Sequence, residues 1–87
     1  MNIYKYPLRF TVIQTIKARF VKPLCVQTQV DTPCLWAMVD ENIPEKELTV
    51  FMVGTGTHDV DNIKVQPEEY IATTQHGGYV FHWFVRE

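Results

Sequence analysis

The chain has 87 residues, which is enough for one domain, and we expect a single domain spanning residues 1–87. Eight Lys and Arg against ten Asp and Glu give a formal net charge of −2, which excludes a generally basic nucleic-acid binder. Hydrophobic residues make up 46% of the chain and aromatic residues 13%, so an acidic disordered protein is excluded as well.

The N-terminal segment and the cysteines predict a cytosolic protein. Lys5, Pro7 and Arg9 interrupt the apolar stretch that a secretory signal needs, and no apolar run approaches the roughly 20 residues of a membrane span. Cys25 and Cys34 are too few for the disulfide framework of a small secreted domain. Two cysteines and three scattered histidines also make a poor zinc set. We expect no metal, no cofactor and no membrane partner.

Short runs of alternating apolar and polar residues, separated by turn residues, predict a mainly antiparallel all-β domain. About seven strands and little helix are expected, packed as a small sandwich or barrel. The predicted strands are Asn2–Tyr6, Phe10–Lys17, Leu24–Val30, Cys34–Val39, Glu47–Val53, Tyr70–Gln75 and Tyr79–Arg86. The fourth run is mostly apolar, which predicts a strand buried on both faces.

The segments between the later strands carry clearer turn signals. Residues 57–67 show no period and are expected to form a loop with one helical turn, and Pro67-Glu68-Glu69 is typical of a helix start. Gly77-Gly78 predicts a two-residue hairpin loop with positive φ at both glycines. That loop fixes the register and pairs His76 with Tyr79, Thr74 with Phe81 and Ala72 with Trp83.

The most suggestive candidate site is the turn that follows the fifth strand: Gly54, Thr55, Gly56, Thr57 and His58. Two glycines leave backbone N–H groups free to approach an anion, and the hydroxyls and imidazole add donors. The turn lacks the lysine of a phosphate-binding loop and the third glycine of a dinucleotide fingerprint. The alternative is a plain glycine-rich turn leaving a sheet.

Other candidate binding residues are aromatic or basic. Trp36 and Trp83 could stack a base or sugar ring, or they could simply pack in the core. Lys17, Arg19 and Lys22 form the only basic cluster, which could contact a phosphate or an acidic partner, or protect a solvated strand edge. A histidine between aromatic residues, such as His82, is typical of a hydrogen-bonded core position. No catalytic set is evident, and we expect a non-enzymatic protein.

Several segments, taken in order, resemble a family of short, uncharacterised proteins encoded by bacteriophages. These segments are Ile3–Leu8, Gln14–Ile16, Val26–Gln29, Cys34–Asp40, Val53–His58, Tyr70–Thr73 and Tyr79–Phe84. The Leu-Trp-Ala-x-Val-Asp stretch and the Gly-Thr-Gly stretch are its most specific parts. The resemblance implies a phage protein made in the cytoplasm of an infected host. Small accessory proteins of phages often counter host defence, which is an analogy of class only.

The leading hypothesis is a non-enzymatic homo-oligomer that sequesters a small phosphorylated, nucleotide-derived signalling ligand. Gly54, Thr55, Gly56 and Thr57 would hold phosphate or ribose oxygens, and Trp36 or Trp83 would stack the base. Arg19 or Lys22 would offset the charge of the ligand. The alternatives are a protein-partner inhibitor of a host defence effector, similar to an anti-CRISPR protein, and a minor structural protein of the virion.

Overall fold

The computed structural model describes all 87 residues and contains seven strands in two antiparallel sheets. The strands are β1 (Asn2–Pro7), β2 (Ile13–Ala18), β3 (Phe20–Gln29), β4 (Thr32–Val39), β5 (Lys46–Gly54), β6 (Tyr70–His76) and β7 (Tyr79–Arg86). A five-residue helix α1 (Asp59–Ile63) and a 3₁₀ turn (Pro67–Glu69) lie between β5 and β6. The all-β prediction, with about seven strands and little helix, is confirmed.

The strand order divides the molecule into two layers. One sheet has the order β1-β4-β3 and the other the order β2-β5-β7-β6, and every neighbouring pair is antiparallel. The chain crosses from the four-stranded to the three-stranded sheet at Arg19, the single residue between β2 and β3. Because of this crossing, the end of β2 lies beside the edge strand β1, where a cavity opens between the sheets.

One hydrophobic core fills the space between the two sheets. It contains nine buried residues: Leu8, Phe20, Val26, Leu35, Ala37, Val39, Leu48, Val50 and Trp83. The set comes from both sheets, so neither sheet has a separate core.

The sequence predicted that β4 is buried on both faces, whereas in the structure β5 is buried on both faces and the second face of β4 is buried only at Cys34. Along β4, Leu35, Ala37 and Val39 are buried on one face, and on the other face Cys34 is buried whereas Trp36 and Met38 are half-buried. Along β5, Leu48 and Val50 belong to the main core, while Phe51 and Val53 on the opposite face form a second cluster with Val65. The second cluster exists because the segment after β5 folds back over the four-stranded sheet.

That covering segment, residues 59–69, is held to β7 by Arg86. The guanidinium donates to the Glu69 carboxylate, at 2.8 Å from Nη2 to Oε1, and to the carbonyl of Lys64 at 3.1 Å. It also lies 4.8 Å from the centroid of the Phe51 ring. The expected helix start at Pro67 is present as the 3₁₀ turn, with reciprocal capping bonds between Gln66 and Glu69.

The β6–β7 hairpin has the predicted register. His76 pairs with Tyr79, Thr74 with Phe81, and Ala72 with Trp83. The prediction of positive φ at both loop glycines is wrong, because only Gly77 has one, at 59°. A hairpin loop with positive φ at its first position alone has the pattern of a type II′ turn, which also matches the twist of the strands.

The second and third strands begin elsewhere than predicted. β2 starts at Ile13 and not at Phe10, and β3 starts at Phe20 and not at Leu24. Two irregularities in the pairing of β3 with β4 flank Lys22 and Pro23. Proline lacks a backbone donor, so the strand accommodates it through bulges on an edge.

Candidate functional site

The Gly54–His58 turn, named here the glycine corner, uses only some of its backbone donors. Thr55 N–H donates to the carbonyl of Val80 at 3.2 Å, and Thr57 N–H donates to the carbonyl of Gly54 at 3.3 Å. The N–H groups of Gly56 and His58 donate to no group of the protein. Gly56 has φ of 80°, and a Cβ atom at this position would meet nothing within 4 Å. The N–H groups of Gly56 and His58 are therefore available to a ligand, whereas those of Thr55 and Thr57 are already bonded within the protein.

A chain of hydrogen bonds joins the glycine corner to the outer face of the four-stranded sheet. Thr55 Oγ1 lies 2.7 Å from His82 Nε2, and His82 Nδ1 lies 3.0 Å from Thr73 Oγ1. Thr73 Oγ1 in turn lies 2.7 Å from the hydroxyl of Tyr70. We name these four residues the hydroxyl–imidazole network. The arrangement links a threonine hydroxyl, through both nitrogens of one imidazole, to two further hydroxyl groups.

The side chains of the glycine corner do not favour a phosphate group. The Thr57 hydroxyl lies 2.9 Å from the carbonyl of Gly54 and 3.1 Å from the carboxylate of Asp59. No lysine or arginine side chain forms a hydrogen bond or ion pair with the corner or with the hydroxyl–imidazole network. None of the three main surface cavities is lined by a residue of the corner.

The two tryptophans lie away from the glycine corner. Trp83 is fully buried in the core, and its indole N–H donates to Thr74 Oγ1 at 2.8 Å. A ring in this position cannot stack on a ligand without opening the core. Trp36 is half-buried on the other sheet, where it pairs with Lys5 on β1 and Cys25 on β3. The Lys5 ammonium lies 5.9 Å from the centroid of its ring.

The predicted basic residues lie at the other end of the molecule. Arg19 Nη1 donates to the carbonyl of Ile43, in the loop that leads into β5 at Lys46. Gly54 is the last residue of β5, so the length of the strand separates this loop from the corner by about 26 Å. Lys22 is exposed on β3, opposite Met38. The structure thus does not bring Arg19 or Lys22 to the glycine corner.

Arg19 instead lines a cavity of about 240 Å³ between β1 and the end of β2. Tyr4 and Tyr6 from β1 and Lys17 from β2 line the same cavity, which we name the tyrosine pocket. Tyr4 is half-exposed, whereas Tyr6 is partly buried and packs against Phe20 with ring centroids 5.5 Å apart. Burial, and to a lesser degree the neighbouring Tyr4, raises the pKa of Tyr6, so its hydroxyl stays neutral.

Three carboxylates close the tyrosine pocket on the side of the β4–β5 loop. They belong to Asp40, Glu41 and Glu45. The pocket therefore combines aromatic rings, two cations and three carboxylates. Aromatic rings stack on bases, cations bind phosphates, and carboxylates accept hydrogen bonds from ribose hydroxyls. The tyrosine pocket thus places aromatic, cationic and acidic groups side by side.

A second groove of about 430 Å³ lies between the edge strands β3 and β6 and is lined by uncharged residues. Both cysteines are free thiols. Cys25 pairs with Trp36 and Gln27 with Cys34, so the cysteines occupy diagonal positions on the β3–β4 pair. No group of metal-ligating side chains forms a cation site, and no helix is long and apolar enough to cross a bilayer.

Sequence reasoning missed the residues that complete both arrangements. It interpreted His82 as a core residue and did not single out Thr73 or Tyr70, although the predicted hairpin register already places Thr73 opposite His82. It also did not connect the tyrosines of β1 with Lys17 and Arg19. That contact depends on how the sheets pack, which the hairpin register does not report.

Fold and site together define a small two-sheet antiparallel β-sandwich, with the tyrosine pocket at one end and the hydroxyl–imidazole network at the other. The chain belongs to the family described as Domain of unknown function (DUF7352), and the match spans residues 1–87. The expectation of an uncharacterised family is confirmed. No curated protein and no solved structure matches this chain.

Proposed function

We propose that this protein is a phage accessory protein that binds a small nucleotide-derived signalling ligand in the tyrosine pocket and withholds it from host defence. The ligand is held without being changed, in the cytoplasm of the infected host. The observation that carries the proposal is the convergence of Tyr4, Tyr6, Lys17 and Arg19 on one cavity of about 240 Å³. The resemblance to phage proteins supports the biological setting.

The chemistry of the pocket assigns a part of the ligand to each group. The exposed ring of Tyr4 stacks the base, which contributes about 1–3 kcal/mol. Lys17 and Arg19 contact phosphate oxygens, and Asp40 or Glu45 accepts hydrogen bonds from the ribose. Three carboxylates beside two cations favour a ligand with few phosphates, because each further negative charge is repelled by the acidic side of the pocket.

Calorimetric titration tests the proposal with cyclic ADP-ribose isomers and cyclic dinucleotides, with adenosine monophosphate as the minimal ligand. Lys17→Ala should weaken binding about tenfold, in line with the loss of one charge-assisted hydrogen bond. Lys22→Ala removes the same charge from the other sheet and should bind as the unmodified chain does. The proposal is overturned if none of these nucleotides binds at high micromolar concentration, or if both variants lose affinity equally.

The homo-oligomer remains part of the proposal. It is supported by the number of large apolar side chains that are exposed on a small domain, among them Ile3, Ile13, Val30 and Tyr79. Light scattering coupled to size-exclusion chromatography should give a mass of at least two chains. A monomer at concentrations of tens of micromolar would limit the proposal to capture by single chains.

A second candidate function is inhibition of a host protein, and an aromatic cluster near the β6–β7 turn favours it. Phe10 packs against His76, with centroids 4.6 Å apart, and against Phe81, at 5.5 Å. Tyr79, with 71% of its surface exposed, stacks on Phe81. Exposed aromatic residues are enriched in protein interfaces. Recovery of a stoichiometric host protein, lost with Tyr79→Ala and kept with Lys17→Ala, would favour this candidate.

A further inference from the structure

We propose that Thr55 is a nucleophile, activated by His82, that takes an acyl group from a carboxylic ester and passes it to water. The reaction takes place at the glycine corner, on the far side of the molecule from the tyrosine pocket. It is independent of ligand capture and does not rest on the proposed function.

The Thr55 hydroxyl has two acceptors within reach: His82 Nε2 at 2.7 Å and the carbonyl of Val80 at 3.4 Å. Hydrogen bonds from hydroxyls are strongest near 2.7–2.8 Å and weak at the longer distance. We assign the hydroxyl proton to the shorter of the two contacts, so that Thr55 donates to His82 Nε2, which is the direction that a general base requires.

The tautomer of His82 follows from this assignment. If Nε2 accepts from Thr55, the ring proton is on Nδ1, and Nδ1–H donates to Thr73 Oγ1 at 3.0 Å. The Thr73 hydroxyl can then donate to Tyr70 at 2.7 Å, and the Tyr70 hydroxyl to water. Each group donates once along the chain, so the network is self-consistent. Thr73 is a positioning residue, since it fixes the orientation of the imidazole.

Acyl transfer places a negative charge on the carbonyl oxygen of the substrate. Gly56 directly follows Thr55, its N–H has no acceptor in the protein, and the space beside it is open. In esterases with a nucleophile on a tight strand-to-helix turn, the N–H of the residue after the nucleophile stabilises the oxyanion. Thr55 likewise lies in a tight turn after a strand, between two glycines.

The charge of the corner selects the class of substrate. Phosphoryl transfer needs cations around the transferred group. No lysine or arginine side chain forms a hydrogen bond or ion pair with the network, whereas the Asp59 carboxylate lies next to Thr57. A carboxylic ester is neutral until the oxyanion forms, and one backbone N–H can then stabilise it. The corner therefore fits an uncharged ester better than a phosphate ester.

The proposed reaction acylates Thr55 and then hydrolyses the acyl-threonine. Thr55 Oγ1 attacks the ester carbonyl while its proton passes to His82 Nε2. The tetrahedral intermediate collapses, the bond to the leaving alkoxide breaks, and the alkoxide takes the proton from His82. Water then attacks the acyl-threonine while its proton passes to His82 Nε2. The bond between the acyl carbon and Thr55 Oγ1 breaks, Oγ1 takes the proton from His82, and the carboxylic acid leaves.

The experiment uses 4-nitrophenyl acetate with the full chain. We expect a burst of nitrophenol, an acetyl adduct that peptide mapping places on Thr55, and then slow turnover. Thr55→Ala should lose the burst and the adduct, whereas Thr55→Ser should keep both. Thr28→Ala, which removes an exposed hydroxyl from β3, is the matched control and should react as the unmodified chain does. An adduct that maps only to lysines or the N-terminus overturns the proposal.

The roles of the imidazole and its support are tested separately. His82→Gln should lower the rate of acylation about 100-fold or more, the usual contribution of a general base. Thr73→Val should lower it as well, and Thr73→Ser should restore it, because serine keeps the hydroxyl that accepts from Nδ1–H. Equal rates in His82→Gln and the unmodified chain, with both folded by circular dichroism, would contradict the assignment.

Discussion

At the scale of single residues, the two tryptophans have opposite roles, and substitution distinguishes them. Trp83→Phe should lower the free energy of unfolding by about 2–4 kcal/mol, because it leaves a cavity in the core and removes the donor that Thr74 Oγ1 accepts from. Trp36→Phe is the matched control and should cost about 1 kcal/mol or less, since Trp36 is only half-buried. Urea denaturation followed by far-ultraviolet circular dichroism measures both.

A smaller effect of Trp83→Phe than of Trp36→Phe would mean that the core is not centred on Trp83. The sequence left two roles open for each tryptophan, packing in the core or stacking at the surface, and did not show which tryptophan has which role. The hairpin register places Trp83 on one strand face with Tyr79 and Phe81, whereas Trp36 lies in an apolar run without alternation. Its exposure depends on how other segments pack against that face, and in the structure Trp36 is half-buried.

At the scale of secondary-structure elements, the β6–β7 loop allows a test with two adjacent glycines. Gly77→Ala forces an alanine to adopt φ near 59°, so we expect it to lower the free energy of unfolding by about 1–2 kcal/mol. Gly78→Ala adds the same methyl group at the next position, where φ is not positive and no atom lies within 4 Å of the added Cβ. It should lower the free energy of unfolding much less. Chemical denaturation of both variants gives the comparison, and equal losses would contradict the assigned turn.

The Arg86–Glu69 contact predicts how stability depends on pH. The hydrogen bond from Arg86 lowers the pKa of Glu69 below its ordinary value of 4.5. A carboxyl with a lower pKa in the folded state stabilises the fold above about pH 4.5 and loses that contribution as the pH falls through the folded-state pKa. Glu69→Gln should therefore be less stable than the unmodified chain at about pH 7, by no more than about 1 kcal/mol because the pair is partly exposed.

The difference between Glu69→Gln and the unmodified chain should shrink toward about pH 3, since Glu69 is then protonated in both folded and unfolded chains. Glu68→Gln changes the neighbouring exposed carboxylate, which has no ion-pair partner, and serves as the control. Urea denaturation at several pH values measures the difference. A gap that stayed constant with pH would show that the ion pair does not stabilise the 59–69 segment.

Local sequence patterns predicted the strands and turns, but they did not predict which distant segments pack against them. The two-residue Gly77-Gly78 loop fixed the hairpin register, because the strands that it joins can pair in only one way. The doubly buried strand was misassigned, since burial of the outer face of β5 comes from Val65, which lies fourteen positions beyond Phe51 in a segment without period. The tyrosine pocket escaped prediction for the same reason, because β1 and β2 meet there only through the packing of the two sheets.

At the scale of the whole molecule, one core shared by both sheets predicts a single cooperative unfolding transition. The main cluster joins Leu35 and Phe20 of one sheet to Val50 and Trp83 of the other, so neither sheet can lose its partner and keep its buried face. The tryptophans provide one probe for each sheet: Trp36→Phe leaves only Trp83, and Trp83→Phe leaves only Trp36. In each variant, the fluorescence transition in urea should coincide with the transition by circular dichroism. Separate midpoints for the two probes in one variant would show that the sheets unfold independently, and the shared core would then contribute little to holding them together.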